Sequence, residues 1–181
     1  GTVNFTDAGP STIYQSELQG IAGGTNIILE ATNGISTSGP FTDEVVGVVT
    51  LAINSNLTLR TRNGNPSDLA TGIDLTTSSH GVNLEFKTQG TGTITLETGI
   101  DKPSPITTSK LTTAGGAITI SSSGALNISG PVSSGTGTVN LTGNSIVIAG
   151  NVSAGATGTV TLNTNATGTI TRTAGTVTGA T

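Results

Sequence analysis

Apolar residues in this chain recur as pairs separated by one polar residue, and the pairs return at a nearly fixed interval. The clearest series is Leu51/Ile53, Ile73/Leu75, Ile94/Leu96, Ile118/Ile120, Val139/Leu141 and Val160/Leu162, with steps of 22, 21, 24, 21 and 21 residues. A second series runs Leu57/Leu59, Val82/Leu84, Ile106, Leu126/Ile128, Ile146/Ile148 and Ile170. A third, sparser series is Phe86, Leu111, Val132, Val152 and Val177. Alternation of this kind puts the apolar pair on one face of a short strand. One such strand cannot bury that face alone, so a fixed period implies stacking of each winding on the next.

The pattern predicts an all-β fold, a parallel β-helix (β-solenoid) with three short strands and about 21 residues per coil. Stacked windings pair their backbones at one strand spacing and align like side chains into internal columns. Ile73, Leu75, Ile94, Leu96, Ile118, Ile120, Val139, Leu141, Val160 and Leu162 are the expected structural ladder. Gly and Asn between the pairs suit corners, which need unusual dihedrals. The longest step contains "DKPSP" (101–105), a loop-like stretch that absorbs extra residues. An antiparallel β-sandwich also has frequent turns, but it has no reason to keep one period through successive steps.

Counting from the strand near residue 28, the chain is expected to hold roughly seven coils, a rod of about 34 Å. Residues 1–24 are read as an irregular N-terminal lead-in, with one short helical turn around Ser16 to Leu18 as an option. Residues 25–181 are read as the rod. The chain starts with Gly and its period is cut in phase near Val177, so it is expected to be a segment of something longer.

Composition narrows the core and the chemistry. About a fifth of the 181 residues are Thr, 27 are Gly, and the aromatics number four (Phe5, Tyr14, Phe41, Phe86). The core must therefore be thin and built from Val, Ile and Leu. The net charge of −4 argues against a nucleic-acid surface, and beyond Lys110 the only charged side chain is Arg172. There is no Cys, so neither disulfides nor Cys-ligated metals arise. The longest apolar-rich run, "VVGVVTLAI" from Val45, is too short to span a bilayer.

The stretches "TNIILEATNGIS" (25–36), "NSNLTLRT" (54–61) and "GGAITISSSGALNISG" (115–130) resemble the repeat region of filamentous-haemagglutinin-like exoproteins. These are large surface proteins of cyanobacteria and other Gram-negative bacteria, many exported by two-partner secretion. The resemblance runs from about residue 20 onward. It implies a right-handed β-helix, an extracellular or cell-surface location, and a structural or adhesive role. It also implies partners among other copies, adjoining repeats, or a host or environmental surface, with no membrane insertion. The family's secretion domain carries "NPNL" and "NPNGI" motifs, whereas this chain has "SNLTL" (55–59), "NGIS" (33–36) and "NGNP" (63–66). A downstream shaft segment fits better than the secretion domain.

Parallel β-helices also build polysaccharide lyases and hydrolases, which need clustered acids. Glu85 and Glu97 lie beside strands, Asp74 is expected next to the outward Thr95, and Arg60, Arg62 and Asp68 lie near one corner. These read as solvated charges and a loop ion pair. The sole His, His80, sits in the turn-like "TSSHGV" without partners for a metal site. No catalytic, cofactor or metal residue is expected, and an enzyme is not. Thr93, Thr95, Thr119, Thr138, Thr159 and Thr161 form a candidate outward ladder, the kind of rank that ice-binding β-solenoids present. Thr is also simply a favoured strand residue, and Ala117 and Asn140 interrupt the rank. The leading expectation is the non-enzymatic shaft of a surface adhesin or matrix protein. A self-assembling filament subunit and a glycan- or ice-binding solenoid are the alternatives.

Overall fold

A computed structural model describes residues 1–7, 11–37, 47–62, 72–76, 84–99 and 103–180. Val82, His80 and Asp68 lie outside them. The described chain is built on three parallel sheets. The first stacks seven strands in this order: β1 (Thr2–Asp7), β2 (Asn26–Ala31), β5 (Asn56–Thr61), β8 (Ile94–Thr98), β11 (Ile118–Ser121), β14 (Val139–Gly143) and β17 (Val160–Thr164). The second stacks β3 (Gly34–Ser36), β6 (Gly72–Asp74), β9 (Ile106–Thr108), β12 (Ala125–Ile128), β15 (Ser145–Ile148) and β18 (Ile170–Arg172). The third stacks β4 (Val48–Thr50), β7 (Glu85–Thr88), β10 (Lys110–Thr113), β13 (Val132–Ser134), β16 (Val152–Ala154) and β19 (Val177–Thr178).

From β2 onward the chain visits the first, second and third sheets in strict rotation, an arrangement consistent with a β-helix. Every strand pairing is parallel and in register, so like side chains lie above one another. Ile27, Leu57, Ile94, Ile118, Val139 and Val160 form one inward column. Leu29, Leu59, Leu96, Ile120, Leu141 and Leu162 form a second. The second sheet contributes Ile35, Ile73, Ile106, Leu126, Ile146 and Ile170. The third contributes Val49, Phe86, Leu111, Val132, Val152 and Val177. Members in the middle of these columns are fully buried, each worth roughly 1.5–3 kcal/mol of apolar transfer.

Four expectations need correction. Ile73 and Leu75 do not lie under Ile94 and Leu96: Ile73 belongs to the second sheet, against Ile106. Leu57 and Leu59 take the place under Ile94 and Leu96. Leu51/Ile53 is not a strand pair. Leu51 is buried, but Ile53 is 59% exposed beside Asn54, whose φ of 60° marks a tight corner. The 21-residue period holds only toward the C-terminus: the step from Asn26 to Asn56 is 30 residues and that from Asn56 to Thr93 is 37. Residues 1–24 are not irregular throughout either, because β1 pairs with β2 over six residues. Between them lies a short helix, α1 (Gln15–Gln19), which buries Leu18 in the core.

The corners explain the Gly and hydroxyl content. Between the third sheet and the next pass of the first, Thr88 donates its hydroxyl to the Gly92 carbonyl at 2.7 Å. Thr113 does so to Gly116 at 2.5 Å, and Ser134 to Gly137 at 2.5 Å. Thr88, Thr113, Ser134 and Ala154 are stacked in register. Glycine is required on the far side of this corner. A Cβ on Gly116 would sit 2.1 Å from the Gly92 oxygen, and one on Gly137 2.3 Å from the Gly116 oxygen. Asparagine side chains tie other corners. Asn56 donates to Asn26 Oδ1 at 2.7 Å and accepts from the Thr93 N–H at 2.9 Å. Asn165 donates to Asn144 Oδ1 at 3.0 Å.

Candidate functional site

Two clusters of charged residues lie on the outer face of the early passes. Glu30, Arg60 and Glu97 occupy the same position of β2, β5 and β8 and are stacked in register. Alternation turns them outward, because Leu29, Leu59 and Leu96 turn inward. Arg60 Nε pairs with Glu30 Oε2, and Arg60 Nη1 lies 3.8 Å from Glu97 Oε1. Arg62 Nε approaches Glu30 Oε1 at 2.8 Å, so Glu30 holds a guanidinium on each oxygen. Its side chain is only 11% exposed. Burial alone would raise its pKa, but the Arg62 and Arg60 guanidinium groups more than reverse that and hold the carboxyl below its ordinary value.

The second cluster is on the third sheet. Lys110 lies in register beside Glu85, and its Nζ is 2.9 Å from Glu85 Oε2. Thr112 donates its hydroxyl to Glu85 Oε1 at 2.8 Å. Burial pushes the Glu85 carboxyl up, and Lys110 and Thr112 bring it below the ordinary carboxylate range. Glu30 has both carboxylate oxygens engaged by Arg60 and Arg62, and Glu85 by Lys110 and Thr112, whereas Glu97 is more exposed and meets Arg60 at 3.8 Å. Both clusters pin neighbouring strands at a given register.

Asp74 does not adjoin Thr95. It pairs with Ser36 on one side and Thr107 on the other. Its Oδ1 accepts the Thr76 backbone N–H at 2.9 Å and the Thr76 hydroxyl at 2.6 Å, which makes it a turn former. Arg60 and Arg62 are close, as their spacing suggested, and Glu30 joins them; Asp68 lies outside the described residues. The signal for that was in the sequence: "NIILEA", "NLTLRT" and "TITLET" align residue for residue, with Glu30, Arg60 and Glu97 in one column.

The Thr rank lies on the outer face of the first sheet. Thr58, Thr95, Thr119, Asn140 and Thr161 stack directly. Thr93, Ala117, Thr138 and Thr159 precede the strands on the adjoining row, where each carbonyl accepts the strand N–H of the preceding pass. Thr161 is exposed and Thr95 and Thr119 are half-buried.

A cavity of about 850 Å³ opens at the N-terminal end. Phe5 of β1, Leu18 and Glu17 of α1, Leu29 of β2 and Ile35 of β3 are among its walls. It lies where a second-sheet strand would sit beside β1, because α1 follows β1 in its place. Among the described residues there is no group of three His, Cys, Asp or Glu that could hold a metal ion. No helix there is long and apolar enough to cross a membrane. Comparison with protein-family models, with curated proteins and with solved structures found no match.

Proposed function

We propose that this chain is a shaft: a right-handed parallel β-helix of about seven coils that spaces or carries other parts of a large surface protein. Continuity of the aliphatic columns from Ile27 to Val160 carries this reading. Each pass is held to the next by three sets of backbone bonds and by apolar contact, so stiffness grows by addition of like units. The outside is kept wet chiefly by Thr, Ser and Asn, and two clusters of charged residues help set the strand register. Such a surface suits an extended rod exposed to water along its length. The reading also takes the chain as non-enzymatic, and as akin to the filamentous-haemagglutinin-like exoproteins whose repeat style it resembles. On that view it stands on the outside of a Gram-negative cell.

Antibody raised against the purified chain and applied to intact cells of the source organism tests the reading. Gold label on unpermeabilised cells, standing off the outer membrane, is the expected result. Label that enters only after permeabilisation and fills the cytosol would overturn it.

A further inference from the structure

Side chains that titrate in acid are confined to the early passes. All ten Asp and Glu residues, and the single His, lie at or before Asp101. Beyond it the charged side chains are Lys102, Lys110 and Arg172, which stay cationic from neutral pH into strong acid. The early passes are also the ones joined through carboxylates. Glu30 of β2 holds Arg60 of β5 and Arg62 just beyond it, and Arg60 reaches on toward Glu97 of β8. On the other side of Glu30 the in-register residue of β1 is Thr6, which does not titrate, and Asp7 follows it in the strand. Glu17 of α1 shares the cavity wall with Glu30. Glu85 of β7 holds Lys110 and Thr112 of β10, with Lys87 two residues along its own strand. Its in-register neighbour on β4 is Val48.

From β11 to β16 the passes are stitched by groups that do not titrate. Ser153 donates to the Ser133 hydroxyl at 3.0 Å, and Asn144 Nδ2 donates to the Ser123 carbonyl at 2.8 Å. Ile118, Leu126, Val132, Val139 and Ile146 are fully buried along the same stretch. The chain between passes is also short there, whereas the steps from Asn26 to Asn56 and from Asn56 to Thr93 are 30 and 37 residues. Closing the early passes therefore orders longer loops, at a larger entropic cost.

We propose that the rod is acid-responsive in one part only: its early passes open at low pH while its later passes stay stacked. In a stack each pass contacts only its neighbours, so one stretch can open while another holds. Protonating Glu30 leaves two guanidinium groups gathered around a neutral side chain. Protonating Glu85 leaves Lys110 and Lys87 without their shared carboxylate. Burial opposes ionisation of both carboxyls, yet their cationic and hydroxyl partners hold them below the ordinary value of 4.5. The stabilisation is thus complete above that value and fades as pH falls through the lowered one. The later passes contain no such group. This goes beyond the shaft reading and does not depend on where the protein resides.

Hydrogen–deuterium exchange of the whole chain, read by mass spectrometry at about pH 7 and about pH 3, tests it. Protection factors are compared, so the acid slowing of chemical exchange divides out. Peptides from β2, β5 and β7 should lose roughly tenfold or more of their protection in acid. Peptides from β11 to β16 should change by less than about twofold. The readout is the change with pH, so fraying at a chain end does not enter it. Glu30→Gln/Glu85→Gln, checked for folding at neutral pH by circular dichroism, should already show the lowered early protection there, and acid should lower it no further. Equal loss in early and later passes would overturn the proposal, because the rod would then open as one unit. Protection retained everywhere in acid overturns it too. So does a folded double variant that keeps the wild-type acid response, since other groups would then drive the opening. The wild-type comparison decides the matter even if the double variant does not fold.

Discussion

The Ser134 hydroxyl donates to the Gly137 carbonyl at 2.5 Å, and one pass later the in-register position is Ala154, buried, with Gly158 across the corner. The corner geometry persists while its hydroxyl is missing. Ala154→Ser should therefore supply the absent bond and stabilise the chain by about 1 kcal/mol. Ser134→Ala should cost a similar amount. Paired thermal melts check both, and an Ala154→Ser variant that melts lower than wild type would show that the corner does not tolerate the hydroxyl.

The glycine opposite that hydroxyl is held by space, not by dihedral freedom. A Cβ on Gly137 would come within 2.3 Å of the Gly116 oxygen, a backbone atom that cannot swing aside. Gly137→Ala should destabilise by about 2 kcal/mol or more. An exposed site such as Thr161→Ala serves as the control in urea titration, and equal midpoints for the two would contradict the stacking at this corner.

Among the described residues, three buried hydroxyls lack a hydrogen-bond partner, those of Thr61, Thr108 and Ser109. Thr108 points inward against Ile128 and is fully buried, and its Oγ1 has no hydrogen-bond partner. Valine has nearly the same shape without the desolvated oxygen. Thr108→Val should raise stability by about 1 kcal/mol, read as a melting-temperature gain of roughly 2–4 °C for a chain of this size. A loss would mean that the hydroxyl is satisfied in solution.

Inward and outward positions of one strand should respond oppositely. Ile118→Asp places a charge in a dry column and should cost more than about 4 kcal/mol, enough to abolish cooperative folding. Thr119→Ser, on the outer face beside Thr95 and Asn140, should change stability by less than about 0.5 kcal/mol. Circular dichroism of the two variants decides the facing.

Acid sensitivity follows from Glu30. Its folded carboxyl titrates below the ordinary value of 4.5 because the pull of Arg62 and Arg60 exceeds the effect of burial. The group therefore adds stability that is fully present above that ordinary value and is lost as pH falls through the lowered one. Glu85 acts in the same direction. Arg60→Met should flatten the acid side of the melting-temperature profile while leaving its shape near neutrality. An unchanged acid limb would mean the ion pairs are too well solvated to matter.

The later half of the fold was readable because steps near 21 residues kept the apolar pairs in phase. From Ile94 onward each column was assigned to the strands that form it. Upstream, the reading failed at Leu51/Ile53 and Ile73/Leu75 for a physical reason. An alternating pair looks the same in any of the three sheets, so only distance along the chain tells them apart. The 30- and 37-residue steps carry corner insertions that shift that distance. Glu30 with Arg60 was missed for the same cause, since placing Leu57 in the wrong series hid the alignment of β2, β5 and β8. The strand β1 was unread because its pattern, Val3 and Phe5, is a single pair with no neighbour at the period. The cavity has no sequence signature: it arises where α1 follows β1 in place of a strand.

In-register parallel stacking underlies each of these statements, and one distance tests it. Thr58 and Thr161 lie on the same outward column of the first sheet, four strand spacings apart through Thr95, Thr119 and Asn140. The chain contains no cysteine, so Thr58→Cys/Thr161→Cys can be spin-labelled at those two sites alone. Double electron–electron resonance should give one narrow distribution centred near about 19 Å between backbones, widened only by the label tethers. A broad distribution, or a centre tens of ångströms longer, would contradict the stacking.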